Sequence, residues 1–217
     1  MNRRLSRLTI PGPVGPLQAV LQEHEGREPD VVAVVCHPHP LYGGTLDNKV
    51  AHRIATTLHE LGVAVLRFNF RGAGESAGVH DEGTGEVDDA RAALDWIGTR
   101  HPRARRWVAG FSFGSWVAAR LVAARADVDQ LVLVAPPVAR SSFEALITCT
   151  VPKLVIQGTH DDVCPLEMLQ EQFPTWAEPK RLVLVPEAGH FFDRRLAELG
   201  RALTEALGPA LRAAPSS

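Results

Sequence analysis

Cysteine is scarce in this sequence: only three occur among 217 residues, and none stands in a Cys-x-x-Cys pair. Secreted domains that depend on disulfides are short and rich in cysteine, so a chain of this length with so few argues against a disulfide framework. Cys36 lies in an apolar run and is expected to be a small core residue.

The sequence also lacks an excess of charge of either sign and any long apolar run. Lys and Arg number 23 against 25 Asp and Glu, a formal net charge of −2, so composition favours neither nucleic acid nor an anionic membrane as a partner. No stretch approaches the roughly 18 apolar residues of a membrane-spanning helix. Prolines and glycines at 11–16 interrupt any secretory signal. We therefore expect a cytoplasmic protein, of open oligomeric state.

Apolar runs alternate with helical patterns along the chain, with no internal repeat and no linker. This alternation predicts an α/β fold: a mostly parallel, twisted sheet of about eight strands with helices on both faces. We predict a single domain over residues 1–212 and a frayed tail at 213–217. The predicted strands are 5–10, 17–22, 31–36, 63–70, 106–111, 130–135, 153–157 and 181–185, and the predicted helices are 48–61, 86–100, 113–125, 166–173 and 194–207.

One serine lies in a G-x-S-x-G pattern, Gly110-Phe111-Ser112-Phe113-Gly114, between a predicted strand and a predicted helix. A serine on such a turn is strained and exposes its hydroxyl above the sheet, as a nucleophile requires. The helix N-terminus supplies free N–H groups for a developing oxyanion. The alternative is an ordinary N-cap serine, which does not explain both glycines.

A serine nucleophile needs a general base and an acid that orients it. Of nine histidines, His190 alone follows the last predicted strand, at the carboxyl edge where ligands bind in such sheets; the alternative is a solvated loop histidine. The acid is Asp161 or Asp162, which follow the strand at 153–157. Asp162 is better suited to capping the helix near Pro165, which favours Asp161.

Several further motifs carry a family resemblance: His37-Pro38-His39-Pro40-Leu41-Tyr42-Gly43-Gly44, Asp47-Asn48-Lys49, and Arg67-Phe68-Asn69-Phe70-Arg71-Gly72-x-Gly74-x-Ser76. With the serine motif they resemble the α/β-hydrolase superfamily, in its small bacterial branch of serine hydrolases and esterases, over nearly the whole chain. The resemblance implies that Asp161, three residues after Gly158, is the acid and that His190 is the base. It implies the N–H of Phe113 as one oxyanion donor. The second donor is His39, at the usual position, or Leu41.

The resemblance implies hydrolysis of a small carboxylic ester or thioester by way of an acyl-enzyme, with no cofactor and no metal. The segment after the strand at 130–135 is too short for a large lid domain, which disfavours an interfacial lipase. Leu41, Tyr42 and Phe111 are candidates for the substrate pocket. Arg71 and the loop histidines would suit an anionic substrate, although Arg71 is expected to be structural.

Four other functions compete with this hypothesis. His37-x-His39, alone or with His160 and Asp161, has the spacing of metal ligands, but no third ligand stands nearby in sequence. A non-catalytic binding protein could keep the fold. An acyltransferase or a peptidase could use the same three residues. Ser112 excludes a dehalogenase, which needs a carboxylate there, and a dienelactone-type hydrolase, which needs a cysteine.

Overall fold

A computed structural model describes residues 3–212; the predicted tail at 213–217 lies outside them. The strands are β1 (Arg3–Gly12), β2 (Gly15–His24), β3 (Val31–Cys36), β4 (Ala64–Phe68), β5 (Arg105–Phe111), β6 (Gln130–Val134), β7 (Lys153–Gly158) and β8 (Lys180–Val185). The α-helices in this part of the chain are α1 (Lys49–Glu60), α2 (Thr84–Arg100), α3 (Phe113–Ala123), α4 (Leu166–Gln172) and α5 (Leu196–Arg212).

All eight strands form one sheet in the order β1-β2-β4-β3-β5-β6-β7-β8. The β1–β2 hairpin is antiparallel and β2 pairs antiparallel with β4, whereas the other neighbours are parallel. The central strands β3, β4, β6 and β7 are buried along their whole length, as expected for strands covered on both faces. The predicted α/β fold is confirmed.

Two hydrophobic clusters lie on opposite faces of the sheet, and β3 contributes side chains to both. Successive side chains of a strand point to opposite faces, so Val32 and Val34 join the cluster that contains α2 and α3 residues. Val31 and Val35 join the cluster that contains α1 and α5 residues. The two helical layers leave the carboxyl ends of β3, β5, β7 and β8 at one edge of the sheet, where the loops discussed below meet.

The segment between β6 and β7 contains a single short 3-10 turn, Glu144–Leu146. The predicted absence of a large lid domain is therefore confirmed for the described chain. Within residues 3–212, no helix combines the length and apolar character that crossing a membrane would require.

The last helix runs further than predicted. Gly208 and Pro209 were expected to end it at residue 207, but α5 continues to Arg212 with Pro209 inside it. Leu207 is buried and Leu211 packs against the same hydrophobic cluster. The apolar contact of Leu211, two residues beyond the proline, thus outweighs the lost N–H donor, because few helical hydrogen bonds remain so near the end of the helix.

Candidate active site

Ser112 lies on a sharp turn between β5 and α3. Its backbone has φ 52° and ψ −122°, a strained conformation for a residue other than glycine. A Cβ at Gly114 would lie 2.4 Å from the carbonyl oxygens of Cys36 and His37, and one at Gly110 would lie 2.2 Å from the oxygen of Gly114. Ser112 occupies the N-cap position of α3, yet its side chain makes no capping hydrogen bond. The capping alternative therefore does not account for this serine.

The Ser112 hydroxyl instead begins a chain of hydrogen bonds. Its Oγ lies 3.0 Å from Nε2 of His190, and Nδ1 of the same ring lies 2.9 Å from Oδ2 of Asp161. His190 and Asp161 are 4% and 5% exposed, so water competes little for these contacts. The loops after β5, β7 and β8 thus bring together the three side chains that the sequence singled out.

Three further donors fix the Asp161 carboxylate. Oδ1 accepts the N–H groups of Val163 and Cys164 at 3.0 and 2.7 Å, and Oδ2 also accepts Nε2 of Gln157 at 3.0 Å. Asp162 is exposed. The capping role expected for Asp162 is wrong, because Pro165 is the N-cap of α4 and no side chain caps that helix. No sequence motif marks Gln157, a buried glutamine near the end of β7.

Two backbone N–H groups near Ser112 remain available to an oxyanion. Within residues 3–212, the N–H groups of Phe113 and His39 donate to no acceptor. The N–H of Leu41 donates to Nδ1 of His39 at 3.3 Å, which favours His39 over Leu41 as the second donor. Burial, followed by the charge of His80, lowers the pKa of the His39 ring.

His37 holds the loop that carries His39. Its Nε2 accepts the N–H of Phe70 at 3.0 Å, so Nδ1 carries the proton and donates to the carbonyl of Pro38 at 2.6 Å. Burial lowers the pKa of His37 to about 4, which leaves the ring uncharged. Since both ring nitrogens are occupied, His37 is not free to bind a metal, and the His37-x-His39 hypothesis loses one of its two ligands.

The described residues contain a different group with metal-ligand chemistry, formed by Asp161, Cys164 and His190. One ligand atom of each lies within 4.8 Å of the others. Burial raises the pKa of Cys164 to about 12, so its thiol stays protonated, and only the thiolate binds metals well. Asp161 and His190 are already hydrogen-bonded to each other. The arrangement suits proton transfer better than metal binding.

The arginine- and glycine-rich motif at 67–76 serves the architecture of the site. Arg67 donates to the carbonyl of Leu46 at 2.5 Å, and Oδ1 of Asn69 accepts the Leu46 N–H at 2.7 Å. Arg71 pairs with the fully buried Asp89 at 2.8 Å, and the hydrogen bonds with that carboxylate raise the pKa of Arg71. The motif therefore holds the loop before α1, and Arg71 is structural, as expected.

Ser112 and His190 open into a cavity of about 360 Å³. Of the predicted pocket residues, Tyr42 lines it, but Leu41 and Phe111 do not. Leu41 is 69% exposed, and Phe111 is fully buried in the core between the sheet and α1 and α5. The remaining lining residues are Pro38, His39, Gly43, Gly44, Asn48, Phe113, Pro137, Arg140, Ser141, Val163 and Phe191. Sequence reasoning assigned no pocket role to Arg140 and Ser141, since no motif marks the loop after β6.

An eight-stranded, mostly parallel sheet with a serine on its strand–helix turn and a histidine and an acid at its carboxyl edge defines an α/β serine hydrolase. A family model described as serine aminopeptidase, S33, matches residues 29–146, and the chain belongs to this family.

Solved structures and a curated relative agree with that assignment. An alpha-beta serine hydrolase homologue from Coxiella burnetii is 40% identical with a TM-score of 0.89, covering 93% of this chain and 97% of its own. An α/β serine hydrolase without a lid from Xanthomonas campestris is 38% identical with a TM-score of 0.90, covering 98% and 97%. An uncharacterized protein of Rickettsia prowazekii is 35% identical over 81% of this chain and 78% of its own length.

Proposed function

We propose that this protein hydrolyses small carboxylic esters or thioesters through an acyl-enzyme on Ser112. The observation that carries the proposal is the continuous hydrogen-bond chain from Ser112 Oγ through His190 to Asp161, set at the wall of an open cavity. This is the arrangement by which a serine hydroxyl becomes a nucleophile at neutral pH.

In the proposed mechanism, Ser112 Oγ attacks the substrate carbonyl while its proton passes to Nε2 of His190. Asp161 stabilises the resulting imidazolium and keeps the ring in the required orientation. The oxyanion accepts hydrogen bonds from the N–H groups of Phe113 and His39. His190 then returns the proton to the departing alkoxide or thiolate. In the second half of the reaction, water gives a proton to His190 and attacks the acyl-enzyme. His190 then returns the proton to Ser112 Oγ, and the carboxylic acid is released.

The cavity and the missing lid argue for small substrates. A volume of about 360 Å³ lies at the low end of the range for small-molecule sites. Activity should therefore be highest on short, monomeric acyl substrates, without the gain at a lipid interface that a mobile lid provides.

A peptidase is the second candidate, because the family description names an aminopeptidase. Such an enzyme has to bind the free, positively charged amino group of its substrate, for which a carboxylate is the natural partner. No aspartate or glutamate is among the described residues that line the cavity. This lining favours an ester or thioester over a peptide with a free amino end.

The cysteines favour a reducing compartment. Cys36, Cys149 and Cys164 are buried and free, which fits the proposed cytoplasmic location.

The decisive experiment compares the wild type with Ser112→Ala on 4-nitrophenyl esters of increasing chain length, acyl-thioesters and aminoacyl anilides. We expect turnover of short esters or thioesters, and a loss in kcat on the order of 10⁴-fold or more in the variant. A fluorophosphonate probe should label the wild type and Ser141→Ala but not Ser112→Ala. Retention of more than about a tenth of kcat, or faster anilide than ester cleavage, contradicts the proposal; a wild type that is neither labelled nor active is a binding protein.

A further inference from the structure

Arg140 places a positive charge at the wall of the cavity. It lies in the loop after β6, where its own N–H and that of Ser141 both donate to the carbonyl of Pro137 at 3.0 Å. Gln172 donates to the carbonyl of Val138 at 3.1 Å, so the backbone of this loop is held at two points. Between residues 3 and 212, the Arg140 side chain forms no hydrogen bond and no ion pair.

The remainder of the cavity wall offers nothing to neutralise that charge. Within the described chain, no carboxylate lines the cavity. Lys49, close by, is already paired with Asp193 and lies over the ring of Phe191. The side chain of Arg140 is exposed, and its charge reaches Cys164, where it opposes the effect of burial on the thiol pKa.

The side chain of Asn48 is a second polar group at the cavity that is suited to an anion. Asn48 caps α1 through its Oδ1, which accepts the N–H groups of Val50 and Ala51. Its NH₂ group carries two donors, for which the described residues supply no acceptor, and Asn48 lines the same cavity as Arg140. Among the described residues, the wall therefore offers a cation and spare donors but no carboxylate that would pair with an ammonium group.

Arg140 and Ser141 also border a neighbouring cavity of about 430 Å³. Its other lining residues come from 138–147 and 172–176 and include Ser142, Gln172 and Thr175. Glu144 lines only this second cavity. Arg140 thus lies between the two cavities. A substrate that extends from Ser112 into the second cavity would contact Arg140.

We propose that the preferred substrates of this site are esters or thioesters that carry an anionic group, a carboxylate or a phosphate, and that Arg140 binds this group. The inference rests on the proposed function and deepens it, because it names the substrate class. A guanidinium binds planar oxyanions through two parallel hydrogen bonds. Arg140 would then determine specificity without taking part in the bond-breaking step.

The test uses two matched substrate pairs. In the first, 4-nitrophenyl hemiglutarate and 4-nitrophenyl valerate differ by a carboxylate on the acyl side. In the second, butyryl-4'-phosphopantetheine and butyryl-pantetheine differ by a phosphate on the leaving group. Wild type, Arg140→Gln and Arg140→Lys are compared in kcat/KM. Arg7→Gln is the control, because Arg7 lies on the outermost strand β1 and is exposed without lining the cavity.

We expect the wild type to favour the anionic member of at least one pair by about tenfold, the scale of a single charge-assisted hydrogen bond. Arg140→Gln should abolish that preference, because kcat/KM should fall far more for the anionic member of the pair than for the neutral one, and Arg140→Lys should keep part of it. Because Arg140 is exposed, added salt should weaken the preference. The pair that responds tells whether the anion sits on the acyl side or on the leaving group.

Two outcomes overturn the inference while leaving the proposed function intact. The first is turnover of neutral esters by a wild type that shows no preference for the anionic substrates, and the second is a preference that persists in Arg140→Gln. If no ester or thioester of any kind is turned over, the proposed function fails and this inference fails with it.

Discussion

Asp161 and Asp162 are neighbours in sequence but differ in every property that a histidine partner requires. Asp161 is 5% exposed, and its carboxylate accepts four hydrogen bonds, one of them with Nδ1 of His190. Asp162 is exposed to solvent. A charge in water contributes little to orienting a ring, whereas a buried, fully hydrogen-bonded carboxylate does so strongly.

Replacement of each aspartate by asparagine should therefore separate their roles. Asp161→Asn should lower kcat by about 10⁴-fold, because an amide does not stabilise the imidazolium and permits the wrong tautomer. Asp162→Asn should change kcat less than about twofold, as expected for an exposed side chain away from the contacts above. Steady-state kinetics on a short ester measures both, with thermal unfolding as the control for folding. Exchanged phenotypes would make Asp162 the acid.

The meeting of Ser112, Asp161 and His190 could be predicted because each follows a strand at the same sheet edge. The pocket lining was harder to predict. Phe111 does not line the pocket because of its position in β5. It lies two residues from Ala109 and four from Trp107, so all three side chains point to the same face of the sheet, towards α1 and α5. Leu41 fails because the direction of a side chain in a 3-10 turn (Pro40–Tyr42) depends on contacts that no periodicity reveals.

At the scale of elements, the strand–helix turn around Ser112 requires α3 to approach the end of β3 so closely that no side chain fits at position 114. The backbone of Gly114 faces the carbonyl oxygens at the end of β3, and a Cβ there would meet them at 2.4 Å. Gly189, beside His190, is a useful contrast: a Cβ there would meet only the carbonyl oxygen of His160, at 3.6 Å.

Gly114→Ala should accordingly destabilise the fold and Gly189→Ala should not. We expect Gly114→Ala to lower the free energy of unfolding by about 3 kcal/mol, since backbone atoms have to move to relieve the overlap. Gly189→Ala should stay within about 1 kcal/mol of the wild type. Urea unfolding followed by circular dichroism gives both values. Equal effects of the two variants would mean that the close approach of α3 to β3 does not constrain the turn.

Element types were predictable from periodicity and capping residues, whereas element ends were not. Helix α5 shows why. Gly208 and Pro209 are strong local signals for the end of a helix, but Leu211 contacts the core, and such a tertiary contact cannot be predicted from local sequence. The β1–β2 hairpin likewise extends to Gly12 and Gly15, two residues beyond Ile10 and Leu17 on either strand. Backbone pairing across a tight turn lengthens strands without needing apolar side chains.

At the scale of the whole molecule, alternating strands and helices predicted the layered fold, but they do not dictate the strand order. β3 lies between β4 and β5, and β2 reaches the sheet by pairing with β4. That order decides which loops meet at the site, and the alternation of strands and helices alone did not predict it.

Global stability should decrease in mild acid because folding buries His37 without charge. Its ring is fully buried and packs against Phe70 at 4.6 Å between centroids. Burial lowers its pKa from 6.5 to about 4, although the hydrogen bond with the Pro38 carbonyl and the charge of Glu86 act in the opposite direction. In the unfolded chain the ring takes up a proton below about pH 6.5, while the folded protein does so only near pH 4. Stability that is complete above pH 6.5 is therefore lost as the pH falls towards 4, by up to roughly 3 kcal/mol.

The difference between wild type and His37→Gln isolates this contribution, because glutamine has no proton to gain in this range. Carboxylates and the other histidines titrate in both proteins, so their effects largely cancel in the difference. Urea unfolding at pH 7, 6, 5 and 4.5 should give curves in which the wild type loses its advantage over the variant steadily below pH 6.5. If the two proteins keep a constant difference across these pH values, His37 is protonated equally in the folded and unfolded states, and its neutral, doubly hydrogen-bonded role in holding the His39 loop is refuted.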